Sequence, residues 1–309
     1  AYVGESVTEP LRYYRANTAS ALSLIEACDA VGITRFIFSS TCATYGEPPR
    51  VPMDEQTPQA PVSPYGVSKL HVEHILRDYA EACRRNSRDF AFAALRYFNV
   101  AGCDPDGLIG EDHEPETHLI PVVIEAALRV RDSITVFGND HDTPDGTCIR
   151  DYVHVCDLAA AHIAVMEALQ PGDERFYNLG IGEGMSVLQI IDAVKRVSGK
   201  EFTINHGERR AGDPSALFAD PSRIKAELGW EARYTDIDRI VETAWNWFKQ
   251  NPGKRDEKAS DRTIGDCEQG LGQIPLAGAK QSGGVTFVEH TRQLSSYQRK
   301  LNSFGRMSH

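Results

Sequence analysis

Tyr65 and Lys69 stand four residues apart in Ser63-Pro64-Tyr65-Gly66-Val67-Ser68-Lys69. On a helix that spacing puts both side chains on one face. A phenol ordinarily keeps its proton to about pH 10, and a neighbouring ammonium favours the phenolate, drawing the pKa toward the range where Tyr acts as a general base. Thr41 adds a hydroxyl from the segment before. The bare spacing is a weak signal, because a Tyr-x3-Lys arises by chance in roughly one chain in three of this composition, and a surface pair is the plain alternative. Two other segments offer anion-binding groups. Arg150 begins Arg150-Asp151-Tyr152-Val153-His154-Val155, and Arg210 lies in Arg209-Arg210-Ala211-Gly212-Asp213-Pro214. A guanidinium fork suits two phosphate oxygens. The plain alternatives are Asp151 as a structural partner of Arg150, although neighbouring strand residues face opposite ways, and a solvated basic turn around Arg210.

The elements that must position these groups are legible in part. Phe36-Ile37-Phe38 breaks into Ser39-Ser40-Thr41, as a buried strand does when its C-terminal end opens into a polar pocket. Ligands of open α/β sheets sit at such strand ends. Ser63 suits an N-cap and Pro64 the first helical position, so a helix starts there and runs on through Leu70, Ile75, Leu76 and Tyr79. Residues 10–32 read as one helix with Leu11, Ala19, Leu22, Ile25 and Ala30 on its apolar face. Strands are expected at 90–98, 134–137, 176–179 and 202–204, and helices at 119–130, 157–169, 186–198, 220–230 and 237–250. The alternation predicts an α/β fold with a parallel sheet.

Composition narrows the function classes. With 309 residues and 41% hydrophobic content, the chain buries a sizeable core. A formal charge of −11 argues against a nucleic-acid surface. No run is apolar enough to span a bilayer, and seven scattered Cys without a Cys-x-x-Cys pair suit reduced thiols, so a cytoplasmic enzyme is expected. Asp104, Asp106, Glu111, Asp112, Glu114 and Glu116 crowd residues 102–118, but their spacing matches no calcium loop, so they read as solvated acids and no metal is expected. Residues 251–309 carry nine Lys or Arg against six Asp or Glu, and are rich in Gly and Ser without periodicity. They read as a disordered or foreign tail.

Taken together, the Ser-Ser-Thr strand end, the proline-bearing loop, the Tyr65/Lys69 helix, Arg96-Tyr97-Phe98-Asn99 and Tyr177-Asn178-Leu179-Gly180 resemble the extended short-chain dehydrogenase/reductases, and within them the UDP-glucose 4-epimerases. The resemblance covers about residues 1–253 and implies a Rossmann-type, doubly wound parallel sheet with a smaller α/β substrate-binding domain. It implies NAD as cofactor, a UDP-sugar as substrate, and a homodimer at full length. Residues 1–100 would be what remains of the NAD-binding domain, and 101–253 mainly the UDP-sugar region with segments returning to the first. The resemblance makes Tyr65, Lys69 and Thr41 catalytic, with Asn17, Thr41, Tyr65, Lys69 and Phe98 on the cofactor. Thr41, Asn99, His118, Arg150, Arg210 and Asp213 would hold the substrate. His118 stands where an Asn binds the diphosphate in one well-known pattern, and Leu217 where the sugar pocket is gated. The family's Gly-rich turn before its first helix has no counterpart, since Gly180-Ile181-Gly182-Glu183-Gly184 belongs to the substrate half. The chain is therefore expected to be a fragment, inactive until an N-terminal segment precedes Ala1. Sugar-nucleotide dehydratases would need an Asp-Glu pair where Cys42-Ala43-Thr44 stands. UDP-pentose or UDP-N-acetylhexosamine epimerases, and an inactive nucleotide-sugar-binding fragment, remain as alternatives.

Overall fold

The computed structural model describes residues 3–113, 115–210 and 213–251; residues 252–309 of the tail expected to be disordered lie outside them. In chain order the elements are α1 (Val3–Thr8), α2 (Pro10–Tyr13), a π-helical turn (Tyr14–Ala19), α3 (Ser20–Ala30), β1 (Arg35–Thr41), a 3₁₀ turn (Cys42–Thr44), α4 (Pro64–Arg85), β2 (Ala91–Tyr97) and β3 (Asn99–Ala101). Then come α5 (Leu119–Ala127), β4 (Ser133–Phe137), β5 (Ile149–Arg150), β6 (Tyr152–His154), α6 (Val155–Ala168), β7 (Glu174–Leu179), β8 (Met185–Ser186), α7 (Val187–Ser198), β9 (Thr203–Gly207), β10 (Ala216–Leu217), α8 (Ser222–Leu228) and α9 (Ile237–Gln250).

β1, β2 and β7 form one parallel sheet with β2 in the middle, Thr41 level with Tyr97 and Tyr97 with Leu179. From Ala91 to Leu95 the middle strand is apolar because helices cover both its faces. Phe92 and Ala94 pack with Phe38, Val72 and Leu76 on the α3 and α4 side, while Ala91, Ala93 and Leu95 pack with Leu158, Ala161 and Val165 of α6 on the other. Small Ala residues in β2 let the two helical layers approach. A third apolar cluster gathers Ile124 of α5, Val136 of β4, Ile190 and Val194 of α7, and Val241 and Phe248 of α9. β4 pairs with β9, β3 with β6, and β5 lies between β10 and β8, each in a separate short sheet. None of the helices described is long and apolar enough to cross a membrane.

The single helix expected over residues 10–32 is broken by the π-helical turn. An extra residue in a turn rotates everything after it about the helix axis, so a face drawn with an unbroken 3.6 period fails. Ile25 is buried, but Leu11 and Leu22 are 76% and 44% exposed. α5 also stops at Ala127, three residues short of the expected end. The capping signals hold: Ser63 Oγ accepts from the Gly66 amide at 3.2 Å, and Ser186 with Gln189 forms a capping box at the start of α7.

Candidate functional site

α4 meets the C-terminal end of β1 because of one residue. A Cβ on Gly66 would lie 2.5 Å from the Ala43 carbonyl oxygen, so only glycine lets the first turn of α4 close on the 3₁₀ turn after β1. Tyr65 and Lys69 are thereby delivered to the strand end. The Thr41 side chain is near enough to the Tyr65 phenol to draw its pKa down, and the Tyr13 ring meets the Tyr65 ring edge-on at 6.2 Å. Lys69 Nζ donates to the Ser39 carbonyl at 3.0 Å and lies 5.0 Å from the centre of the Phe38 ring. Asn17, carried by the π-helical turn, donates to Ser68 Oγ at 2.9 Å, which fixes that turn against α4.

The electrostatics differ from expectation. Burial pushes the Tyr65 phenol above its ordinary value of 10.0, with the Thr41 side chain pulling the other way. Burial likewise lowers the Lys69 ammonium. Lys69 sits on the same face as Tyr65 but spends its charge on the Ser39 carbonyl, so the expected depression of the phenol is absent. A helical spacing gives proximity; it does not give the direction of the ammonium.

Beneath this strand end lies a buried polar network that sequence reasoning missed. Arg96, 1% exposed, donates from Nε and Nη2 to the two oxygens of Glu73 at 3.0 and 2.7 Å. Ser40 Oγ donates to the same carboxylate at 2.5 Å and Gln59 Nε2 at 3.0 Å. Arg96 Nη1 reaches Tyr45 Oη at 2.8 Å, and Tyr45 donates to Asn178 Oδ1 at 2.7 Å. Burial alone would raise the Glu73 carboxyl, but the Arg96 guanidinium and the two neutral donors outweigh it and hold it below 4.5. The network ties β1, α4, β2 and β7 in one register. Its signal in the sequence was an arginine within an apolar strand, which demands a buried partner.

The second set of predicted residues is only partly assembled. Arg150 pairs with Asp213 and donates to the Ile149 carbonyl at 2.7 Å. Arg210 lies over the Phe137 ring, 4.0 Å from its centre. Asp151 faces away from Arg150 and is fully buried, accepting the Ile181 amide at 2.8 Å, the Gly182 amide at 3.0 Å and the Ala219 amide at 3.1 Å. Burial outweighs those bonds and pushes its carboxyl up to about 6. Two amides of the Gly-rich turn, those of Ile181 and Gly182, are thus committed to Asp151 rather than to a phosphate. Phe98 is buried with Tyr45, Met53 and Ala219, with Leu217 against that cluster, while Asn99 is exposed on β3.

His118 is the largest departure. It stands at the N-cap position of α5, and its ring meets Glu111 Oε1 at 2.7 Å and Glu116 Oε1 at 3.1 Å. Hydrogen bonds to Glu111 and Glu116 push the imidazole up to about 9. His113 joins the same group. The reading of these acids as solvated fails for Glu116, which is buried because its Oε1 accepts the Thr117 and His118 amides at 2.8 and 2.9 Å. The linear spacing of the acids gave no sign that two histidines would fold onto them.

Residues 1–180 match the model of the NAD dependent epimerase/dehydratase family. A UDP-glucose 4-epimerase of Rhizobium meliloti (strain 1021) is 48% identical over 253 residues, 81% of this chain and 75% of that protein. One from Lacticaseibacillus casei is 47% identical over 251 residues, 81% of this chain and 74% of that protein. Among solved structures, UDP-glucose 4-epimerase from Brucella ovis in complex with NAD superposes with a TM-score of 0.75 at 46% identity, covering 80% of this chain and 75% of that one. With the β1-β2-β7 sheet, the helices on its two faces and Tyr65 and Lys69 at the strand end, these likenesses place the chain: it belongs to the NAD dependent epimerase/dehydratase family, on the epimerase side of it.

Proposed function

We propose that the protein interconverts UDP-glucose and UDP-galactose by NAD-dependent epimerisation at C4, through a transient 4-keto sugar. The observation that carries this reading is the meeting of the Thr41 hydroxyl with the Tyr65 phenol at the C-terminal end of β1, with Lys69 on the same face of α4. The donor set suits the nicotinamide end of NAD, since an ammonium, the Asn17 amide and two hydroxyls match the polar groups of a ribose and a reacting alcohol. Bound there, NAD would accept a hydride from C4 and give it back. The chain's own residues do the rest. In its ionised form the Tyr65 oxygen takes the 4-hydroxyl proton and returns it, Thr41 hydrogen-bonds the reacting oxygen, and Lys69 and Asn17 hold the ribose. Phe98 backs the nicotinamide side. Arg150, Arg210, Asp213 and Asn99 address the UDP portion, the guanidiniums meeting the diphosphate.

The test is Tyr65→Phe, made in a parent form that turns over UDP-galactose. Turnover of UDP-galactose should fall about 10²–10⁴-fold, the usual cost of removing a general base, while UDP affinity by calorimetry stays unchanged. An unaltered turnover number would refute the assignment. Running UDP-arabinose and UDP-N-acetylglucosamine beside UDP-galactose would decide between the hexose and the other UDP-sugars.

A further inference from the structure

We infer that Glu111, His113, Glu116 and His118 form a binding site for one divalent transition-metal ion of the zinc class. One ligand atom from each of the four lies within 4.8 Å of the others. His113 Nδ1, His118 Nδ1 and Glu111 Oε1 make a triangle with sides of 3.2, 3.0 and 2.7 Å. Glu116 Oε1 sits over it, 3.1 Å from His118 Nδ1 and 3.9 Å from His113 Nδ1. A tetrahedral ion with bonds of about 2.0–2.1 Å holds its ligand atoms roughly 3.3 Å apart. The cluster thus has nearly the dimensions of that coordination shell.

Ordinary ion pairing accounts for it poorly. Each imidazole directs the same nitrogen at the other and at one shared carboxylate oxygen, so two protonated rings would point N–H groups at each other, and a single proton leaves one contact unsatisfied. A cation at the centre meets all four atoms at once. Two imidazoles with two carboxylates select zinc, cobalt or nickel over calcium and magnesium, which favour oxygen shells.

The site is also held from outside. Trp247 Nε1 of α9 donates to the Glu111 carbonyl at 3.1 Å. A Cβ on Gly110 would lie 2.2 Å from the Trp247 ring, so a glycine there is what allows the loop to lie on that ring. At the other end, the Thr117 and His118 amides fix the Glu116 carboxylate at the start of α5. The ion would clip the loop over Glu111–His113 to the N-terminus of α5.

Cobalt(II) is the probe, added to the full 309-residue chain after chelator treatment and dialysis. We expect saturable uptake of one ion per chain with the visible bands of a tetrahedral centre, displaced by zinc and unaffected by excess calcium or magnesium. His113→Ala and Glu111→Gln should each weaken uptake about 100-fold or more. The His113 side chain is 43% exposed, so its loss removes no core packing, and an unchanged circular dichroism spectrum would confirm folding. Absence of saturable uptake by the parent chain, leaving a cluster bridged by protons, would overturn the inference. So would uptake of equal strength in both variants, which would place the ion elsewhere.

Discussion

At the scale of single residues, Tyr65 carries a conflict between location and chemistry. A base must lose its proton, yet burial favours the neutral phenol and the Lys69 ammonium is turned to the Ser39 carbonyl. In the protein without ligands, Tyr65 should therefore titrate above the ordinary phenol value of 10.0. The ultraviolet difference between the parent chain and Tyr65→Phe across the alkaline range measures this, and ionisation below that value would show that Lys69 dominates after all. Arg210 makes a separate case. Its stacking on Phe137 leaves Asp213 to Arg150, so the guanidinium has donors left for a diphosphate. Arg210→Ala should weaken UDP binding by roughly 1.5–3 kcal/mol; equal affinity of variant and parent in a calorimetric titration would assign Arg210 to surface stacking alone.

At the scale of elements, the register of α4 against the sheet is set by the Glu73 and Arg96 pair. Both side chains are buried, at 0% and 1% exposure, and removing one charge of such a pair costs about 3–5 kcal/mol because the other is left uncompensated. Glu73→Gln should lower stability by that order at neutral pH, read from the urea midpoint. The pH dependence follows from the lowered carboxyl. A group whose folded pKa lies below its unfolded value contributes stability above the unfolded value and loses it as pH falls through the folded one. The gap between parent and variant should therefore narrow below pH 4.5. A gap of constant size down to acid unfolding would mean that the carboxylate charge contributes nothing.

At the scale of the molecule, two apolar clusters sit on the faces of one three-stranded sheet, and a third gathers α5, α7 and α9. β2 lies between the two other strands and is covered on both faces, with residues 91–95 at 0% exposure. Its amides open only when both neighbouring strands and both helical layers let go. Hydrogen exchange should be slowest in β2, slower than in β4 or β9, whose shared sheet has only two strands. Faster exchange in β2 than in β4 would locate the most stable unit around α5, α7 and α9 instead.

The sequence by itself determined whatever is local. Ser63-Pro64 starts α4, the Ser186 box starts α7, a run of Phe-Ile-Phe ends in hydroxyls at β1, and four residues separate Tyr65 from Lys69. Each depends on a few adjacent dihedral angles, so residue order suffices. Only the tertiary structure decided which distant groups meet. Glu73 finds Arg96 across 23 residues and Arg150 finds Asp213 across 63, while Tyr45 reaches Asn178 across 133. Asp151 turns from its neighbour to three amides, two of them in the Gly-rich turn, because side chains alternate along an extended chain. The π-helical turn shifted a helix face that spacing alone had drawn straight, and loop closure brought His113 and His118 onto Glu111 and Glu116. Such pairings depend on the path of the whole chain and on which buried charges must be neutralised, and no short window of residues contains either.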